Sequence, residues 1–210
     1  MSISKFVRFS YKFFLLFMLQ FFSIIQTFCF RVLMKVNQIK YGKGIRVYNS
    51  IPILQINRKS GNVEFGKNLI WNSYTDHSWN CRCKVIVKQD ASLVIGDDTG
   101  VNGVMIYVSK SCHIGKHVKI GGGTRIFDTD HHSLDYMIRR HVSEDENNAK
   151  KASIRIEDDA FVGAGCFIGK GVTIGARSII AAGSVVVKSI PADCIAGGNP
   201  CKVIKKNGQG

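Results

Sequence analysis

An aliphatic residue returns at every sixth position from Ile156 onward, through Val162, Ile168, Ile174, Ile180 and Val186. The position two before each is apolar or small: Ile154, Ala160, Cys166, Val172, Ser178 and Ser184. A second run holds Val108, Ile114, Ile120 and Ile126, and a third, offset by one residue, holds Ile95 and Val101. Phe65-Gly66 and Trp71-Asn72 read as an earlier, degenerate turn of the same pattern. A period of six fits neither the 3.6-residue helix nor continuous strand alternation. It fits short strands joined by tight turns, each turn laying the next strand on a new flat face, with three faces closing one triangular coil. The leading aliphatic of each hexad then points into the prism, and stacked coils bond strand to strand about 4.8 Å apart. Glycines and the pairs Asp97-Asp98 and Asp158-Asp159 suit turns that need positive φ. Stacked strands are therefore expected over residues 95–190, with Ile114, Ile120, Ile126, Ile156, Val162, Ile168, Ile174 and Ile180 inward.

The first forty residues follow another pattern. Phe13 to Phe30 carries no charge over 18 residues, enough as a helix to reach about 27 Å, close to the hydrocarbon thickness of a bilayer. Bulky Phe28 and Phe30 stand where a cleaved signal peptide needs small residues. Gln20, Ser23, Thr27 and Arg31 recur at helical spacing and mark a polar stripe. A Phe-rich face, a polar stripe and basic flanks suit a helix lying in a membrane interface. The alternative is a helix packed on the protein's own solenoid or on another subunit. The expected organisation is residues 1–40 as this basic-flanked helix, 41–206 as the solenoid with a loop excursion over 128–153, and 207–210 as a flexible tail.

Charge sharpens this picture. The chain has 29 Lys and Arg against 15 Asp and Glu, a net charge of +14, which implies acidic partners. Lys5, Arg8, Lys12, Arg31, Lys35 and Lys40 lie in the first forty residues, which hold no acid. Seven cysteines, an odd number, sit mostly in apolar runs, as suits reduced thiols and a cytosolic location. Cys81-Arg82-Cys83 lacks a second ligand pair at metal spacing.

The repeats, with the closing stretch VTIGARSIIAAGSVVVKSIPADCIAGGNPCKVIKK, resemble the hexapeptide-repeat acyltransferase superfamily, and within it the maltose, galactoside and polysaccharide O-acetyltransferases. The resemblance covers about residues 63–206. It implies an all-β fold, a left-handed parallel β-helix, with acetyl-coenzyme A as acyl donor and no metal. It further implies a carbohydrate acceptor rather than a nucleic acid, and a homotrimer with sites between subunits. With the apolar basic helix, the expected setting is the inner face of the cytoplasmic membrane and surface polysaccharide biosynthesis.

The hexad pattern lapses between Ile126 and Ile156, where a polar segment holds His131, His132 and His141, half of the six histidines. Acetyl transfer to a hydroxyl needs a base of near-neutral pKa, which histidine supplies, and Asp128 or Asp130 is the expected partner for the second ring nitrogen. The resemblance gives the base role to His132, in the frame His132-Ser133-Leu134, with His131 the competitor one residue away. It makes Asn102 an active-site asparagine, and a turn asparagine is the alternative. For the donor it points to Phe161, Ala164, Ala182, Gly183 and Ser184 along the pantetheine arm and to Lys188, Lys202 and Lys205 at the phosphates, with Val187 where some relatives have a threonine. Two other classes remain open beside it: a zinc carbonic anhydrase using His77, His113 and His117, and a non-catalytic scaffold. Within enzymes the alternative acceptor is a small soluble one, a free sugar, serine or an antibiotic.

Overall fold

The computed structural model describes residues 3–76, 79–206 and 208. Successive short strands visit three sheets in a fixed cycle. Face A holds six parallel strands, from Lys40–Tyr41 to Thr173–Ile174, and face C six more, from Ile53–Ile56 to Val185–Val186. Face B holds eight, seven of them parallel from Arg46–Tyr48 to Cys194–Gly197 and the eighth the antiparallel Lys202–Lys206 that closes it. The chain therefore coils as a three-sided prism with one strand per face in each coil. The register follows the hexads: Ile114 stands beside Ile156 and then Ile174, Ile120 beside Val162 and then Ile180, Ile126 beside Ile168 and then Val186. All eight aliphatics expected inward are fully buried.

The turn from face A to face B stacks left-handed residues, with Asn68, Asp98, His117, Asp159 and Arg177 all at φ between 56 and 60°. The two aspartate pairs thus serve as turn formers, and Asp97 and Asp158 accept the backbone N–H of Lys67 and Lys116 in neighbouring coils. Two further elements interrupt the coils. A hairpin of Tyr74–Asp76 and Trp79–Cys81 leaves the corner between faces B and C. The 128–153 segment leaves the corner between C and A, and contains a 3-10 turn, Ile138–Arg140, followed by one short α-helix, α2 (Val142–Asn148).

The first coil, Lys40 to Ile56, lies below the hexads read from the sequence and is closed by a long helix, α1 (Ile3–Val36). Here the structure corrects the reading of the polar stripe. Ser23 donates to the Val47 carbonyl at 2.6 Å and Thr27 accepts the Val47 N–H at 2.9 Å. Gln26 donates to the Asn49 carbonyl and Arg31 to that of Ile45. The Arg46–Tyr48 strand is the edge of face B, so the stripe satisfies backbone groups that no further strand would pair. From Gln26 through Thr27 to Arg31 the partners step back from Asn49 through Val47 to Ile45, so α1 runs antiparallel to that strand across the base of the prism. Phe30 and Met34 are fully buried, and the Phe30 ring packs at a tilt against Trp71, which packs likewise against Phe65. The opposite side of α1 is exposed and apolar, with Phe17, Phe21, Ile24, Phe28 and Val32 on it.

Candidate functional site

A cleft of about 350 Å³ opens at the corner between faces C and A, where the 128–153 segment folds back on the prism. Its base is pinned by short polar contacts. Asp128, buried, accepts the N–H of Ser109 and of Lys110, both at 2.7 Å, and burial pushes its carboxyl above the usual range. Asp130 pairs with Lys170 at 2.6 Å. Both expected orienting carboxylates are thus committed elsewhere. The partner of His132 is Asp145, on α2: its Oδ2 lies 2.6 Å from His132 Nδ1 and its Oδ1 accepts the Ser133 N–H at 2.6 Å. These two hydrogen bonds, that from His132 first, hold the Asp145 carboxyl below the usual carboxylate range. Thirteen residues separate the pair, a spacing set by the fold of the excursion, which explains why neighbouring Asp128 and Asp130 looked the better partners.

The two histidines diverge. His131 sits at φ 64°, and its ring packs edge-on against Tyr107 and Phe127 at centroid distances of 4.4 and 5.0 Å. Burial first, then the neighbouring His132, lowers its pKa. The His132 side chain is 68% exposed. With Nδ1 tied to Asp145, its Nε2 has no protein partner among the described residues, and the residue lines the cleft. Lys88 and Glu146 complete the rim as a 2.7 Å ion pair, each raising or lowering the other's pKa toward the charged form. An imidazole fixed at one nitrogen by a carboxylate and open at the other is equipped to take a proton from a hydroxyl.

The remaining candidates, Lys188 apart, gather at a different corner, between faces B and C, and on face B itself. Asn102 ends a strand there and belongs to a ladder: Asn49 donates to Asn72 at 2.6 Å, Asn72 to Asn102 at 3.1 Å, and Asn102 to the Ile120 carbonyl at 3.4 Å. It does not line the His132 cleft of its own chain. Above it the corner turns consist of glycine and alanine, with Gly165 bonded to Gly122 and Gly183 to Ala164. Gly121 and Gly163 have no room for a Cβ against the next coil, whereas a Cβ on Gly165 or Gly183 would meet nothing within 4 Å. The corner is therefore tight inside and open outside, with Ala164, Ala182 and Gly183 exposed. Ser184 is buried and donates to the Ala181 carbonyl, so its hydroxyl serves the turn. Phe161, 47% exposed, stands in the outward column Lys119, Phe161, Ile179, Ile195, Lys205 of face B. Lys202 is exposed on the same closing strand. Lys188 follows the last face C strand, at the corner of the His132 cleft. An open Gly/Ala corner beside an exposed aromatic and two lysines suits an extended thioester arm ending in phosphates.

Among the described residues no group of three or more His, Cys, Asp or Glu side chains could hold a metal. His113 lies on the outer side of face A and His117 in a turn, and His77 lies outside the described residues.

Residues 153–188 match the family model described as bacterial transferase hexapeptide (six repeats). No curated protein matches the chain. A hexapeptide-repeat-containing acetyltransferase from Vibrio cholerae is 40% identical over 54% of this chain and 62% of that chain, with a TM-score of 0.50. A maltose O-acetyltransferase from Clostridium difficile 630 is 31% identical over 56% of this chain and 60% of that one, with a TM-score of 0.51. AntD, an N-acyltransferase from Bacillus cereus solved as a variant with dTDP-4-amino-4,6-dideoxyglucose and coenzyme A, is 17% identical over 85% of this chain and 89% of that one, with a TM-score of 0.64. At that identity the likeness concerns the fold. The chain thus spans about three fifths of the length of the first two relatives. It carries the hexapeptide repeat of bacterial transferases and resembles hexapeptide-repeat acetyltransferases.

Proposed function

We propose that the protein is an acetyl-coenzyme A-dependent O-acetyltransferase on a left-handed β-helix, transferring acetyl to a sugar hydroxyl in surface polysaccharide biosynthesis. The observation that carries this reading is the His132–Asp145 pair in the cleft between faces C and A. His132 Nε2 takes the proton of the acceptor hydroxyl as that oxygen attacks the thioester carbonyl, while Asp145 fixes the Nδ1–H tautomer and steadies the imidazolium. The same imidazolium returns the proton to the departing sulfur, which leaves as a thiol. Phe161 and the Ala164 and Ala182-Gly183 turns flank the pantetheine arm, and Lys188, Lys202 and Lys205 meet the phosphates.

The division of these residues between two corners supports a homotrimer. His132 stands at one corner, and Asn102, Ala164 and Gly183 at another, so a complete site forms when the first corner of one chain faces the second corner of its neighbour. In that arrangement Asn102 of one chain helps hold the acceptor or the developing oxyanion opposite His132 of the next. The exposed apolar side of α1 supports attachment at the cytoplasmic face of the membrane. Phe17–Val36 is long and apolar enough to span, and only 11% of that window is buried. Spanning, however, would strip Ser23, Thr27 and Gln26 from the face B edge, so the docked helix lies flat.

Thiol release from acetyl-coenzyme A, screened across free sugars, nucleotide sugars and lipid-linked glycans, tests the reading. Release that depends on a saccharide and is lost in His132→Ala supports it. Absence of turnover with every saccharide, or turnover indifferent to His132, overturns it.

A further inference from the structure

A groove of about 560 Å³ runs between the C-terminal half of α1 and the first turn of the solenoid. Arg31 and Lys35 enter it from the helix and Lys43 from the turn, and no acid lines it. Phe28 and Val32, 67% and 45% exposed, form its outer lip and continue into the apolar side of α1. Exposed cations beside exposed hydrocarbon match the neighbouring groups of a lipid, phosphate next to acyl chain. We propose that this groove seats the phosphate of an anionic lipid while the outer face of α1 enters the leaflet, so that the prism stands end-on at the membrane.

The end-on posture follows from how α1 is held. The helix crosses the base antiparallel to the Arg46–Tyr48 strand, and β-helix strands run across the coil axis. Its exposed side, turned from the stripe bonded to Val47, looks away from the solenoid. A basic groove in that plane distinguishes an anionic leaflet from a second copy of the chain, whose own groove would bring like charges together. The inference rests on the membrane reading above and adds the ligand, its site and the orientation.

The test uses the full-length protein with vesicles of phosphatidylcholine alone or containing phosphatidylglycerol. Sedimentation with the phosphatidylglycerol vesicles is expected, and the exposed pair Lys35→Glu and Lys43→Glu should lower that partitioning at least about tenfold. Phe28→Trp fluorescence should be quenched by lipids brominated on their chains, whereas Val203→Trp, on the closing strand at the far end, should not. Equal binding to both vesicle types, or no effect of the lysine reversals, overturns the phosphate site. Displacement by inorganic phosphate at constant ionic strength would assign the groove to a soluble anion instead. Equal quenching at both tryptophans overturns the end-on posture, and self-association that hides Phe28 from every vesicle overturns the lipid occupant. Thiol release with a soluble saccharide, measured on the same lysine variant, should be unchanged; its loss in wild type as well would indict the acetyltransferase reading and leave the vesicle result standing.

Discussion

At the scale of single residues, the two adjacent histidines have been given separate tasks by one left-handed residue. Because His131 adopts positive φ, its ring turns onto Tyr107 and Phe127 while His132 turns outward to Asp145. His132→Ala should lower turnover by about 10²–10⁴ with little change in coenzyme A affinity. Asp145→Asn leaves Nδ1 without a carboxylate and should lower kcat while sparing the KM for acetyl-coenzyme A; loss in KM alone would reassign Asp145 to the loop's architecture. Lys202→Ala should do the converse, raising that KM and sparing kcat. The packed histidine leaves a different signature. Its folded pKa lies below 6.5, so as pH falls the unfolded chain binds the proton first and stability is lost below about pH 6.5, with nothing gained above it. His113, depressed mainly by burial, adds the same sign. Urea midpoints between about pH 7 and pH 5 should therefore decline, and His131→Phe should flatten part of the decline.

At the scale of elements, the hexads were legible because each inward position repeats one physical demand, a branched aliphatic against its copies in the coils above and below. Ile168→Asp places a carboxylate among Ile126 and Val186 and should unfold the domain, read as loss of the cooperative thermal transition. The base coil was not legible, since its few buried aliphatics, Ile39, Ile45 and Val47, are completed by Phe30 and Met34 of the helix rather than by a longer run of hexads. The polar stripe was visible, but sequence periodicity records that a helix has two sides without recording which side meets protein. Ser23→Ala and Thr27→Ala should each cost about 1–3 kcal/mol by leaving a buried group of Val47 unpaired, measurable by denaturant titration. For the same reason, removing residues 1–40 should destabilise the solenoid, not merely release it from the membrane. Asp145 escaped the sequence reading because α2, which carries it, meets His132 only through the fold of the excursion.

At the scale of the whole molecule, the proposed site between chains and the proposed lipid-facing base make separate predictions. Mixed oligomers of His132→Ala with an inactive variant of the open corner, Ala182→Asp, should regain activity that neither homo-oligomer has, because some interfaces then pair two intact corners. Failure to regain it in verified mixed oligomers would place the whole site within one chain. The His132 cleft lies two to three coils above the base, so it stands roughly 10–20 Å from the headgroups in the end-on posture. A saccharide carried on a short lipid-linked stem should therefore be acetylated at least about tenfold more efficiently on vesicles than free, through effective concentration alone. The plug of Phe30 on Trp71 has a spectroscopic counterpart. The chain has two tryptophans, and Trp71 is fully buried at a ring distance of 5.6 Å from Phe30. In a Trp79→Phe background, its emission should be blue and deaf to aqueous iodide while α1 is seated, then redden and quench once the helix lifts, making the fluorophore a built-in gauge of whether the base of the molecule is shut.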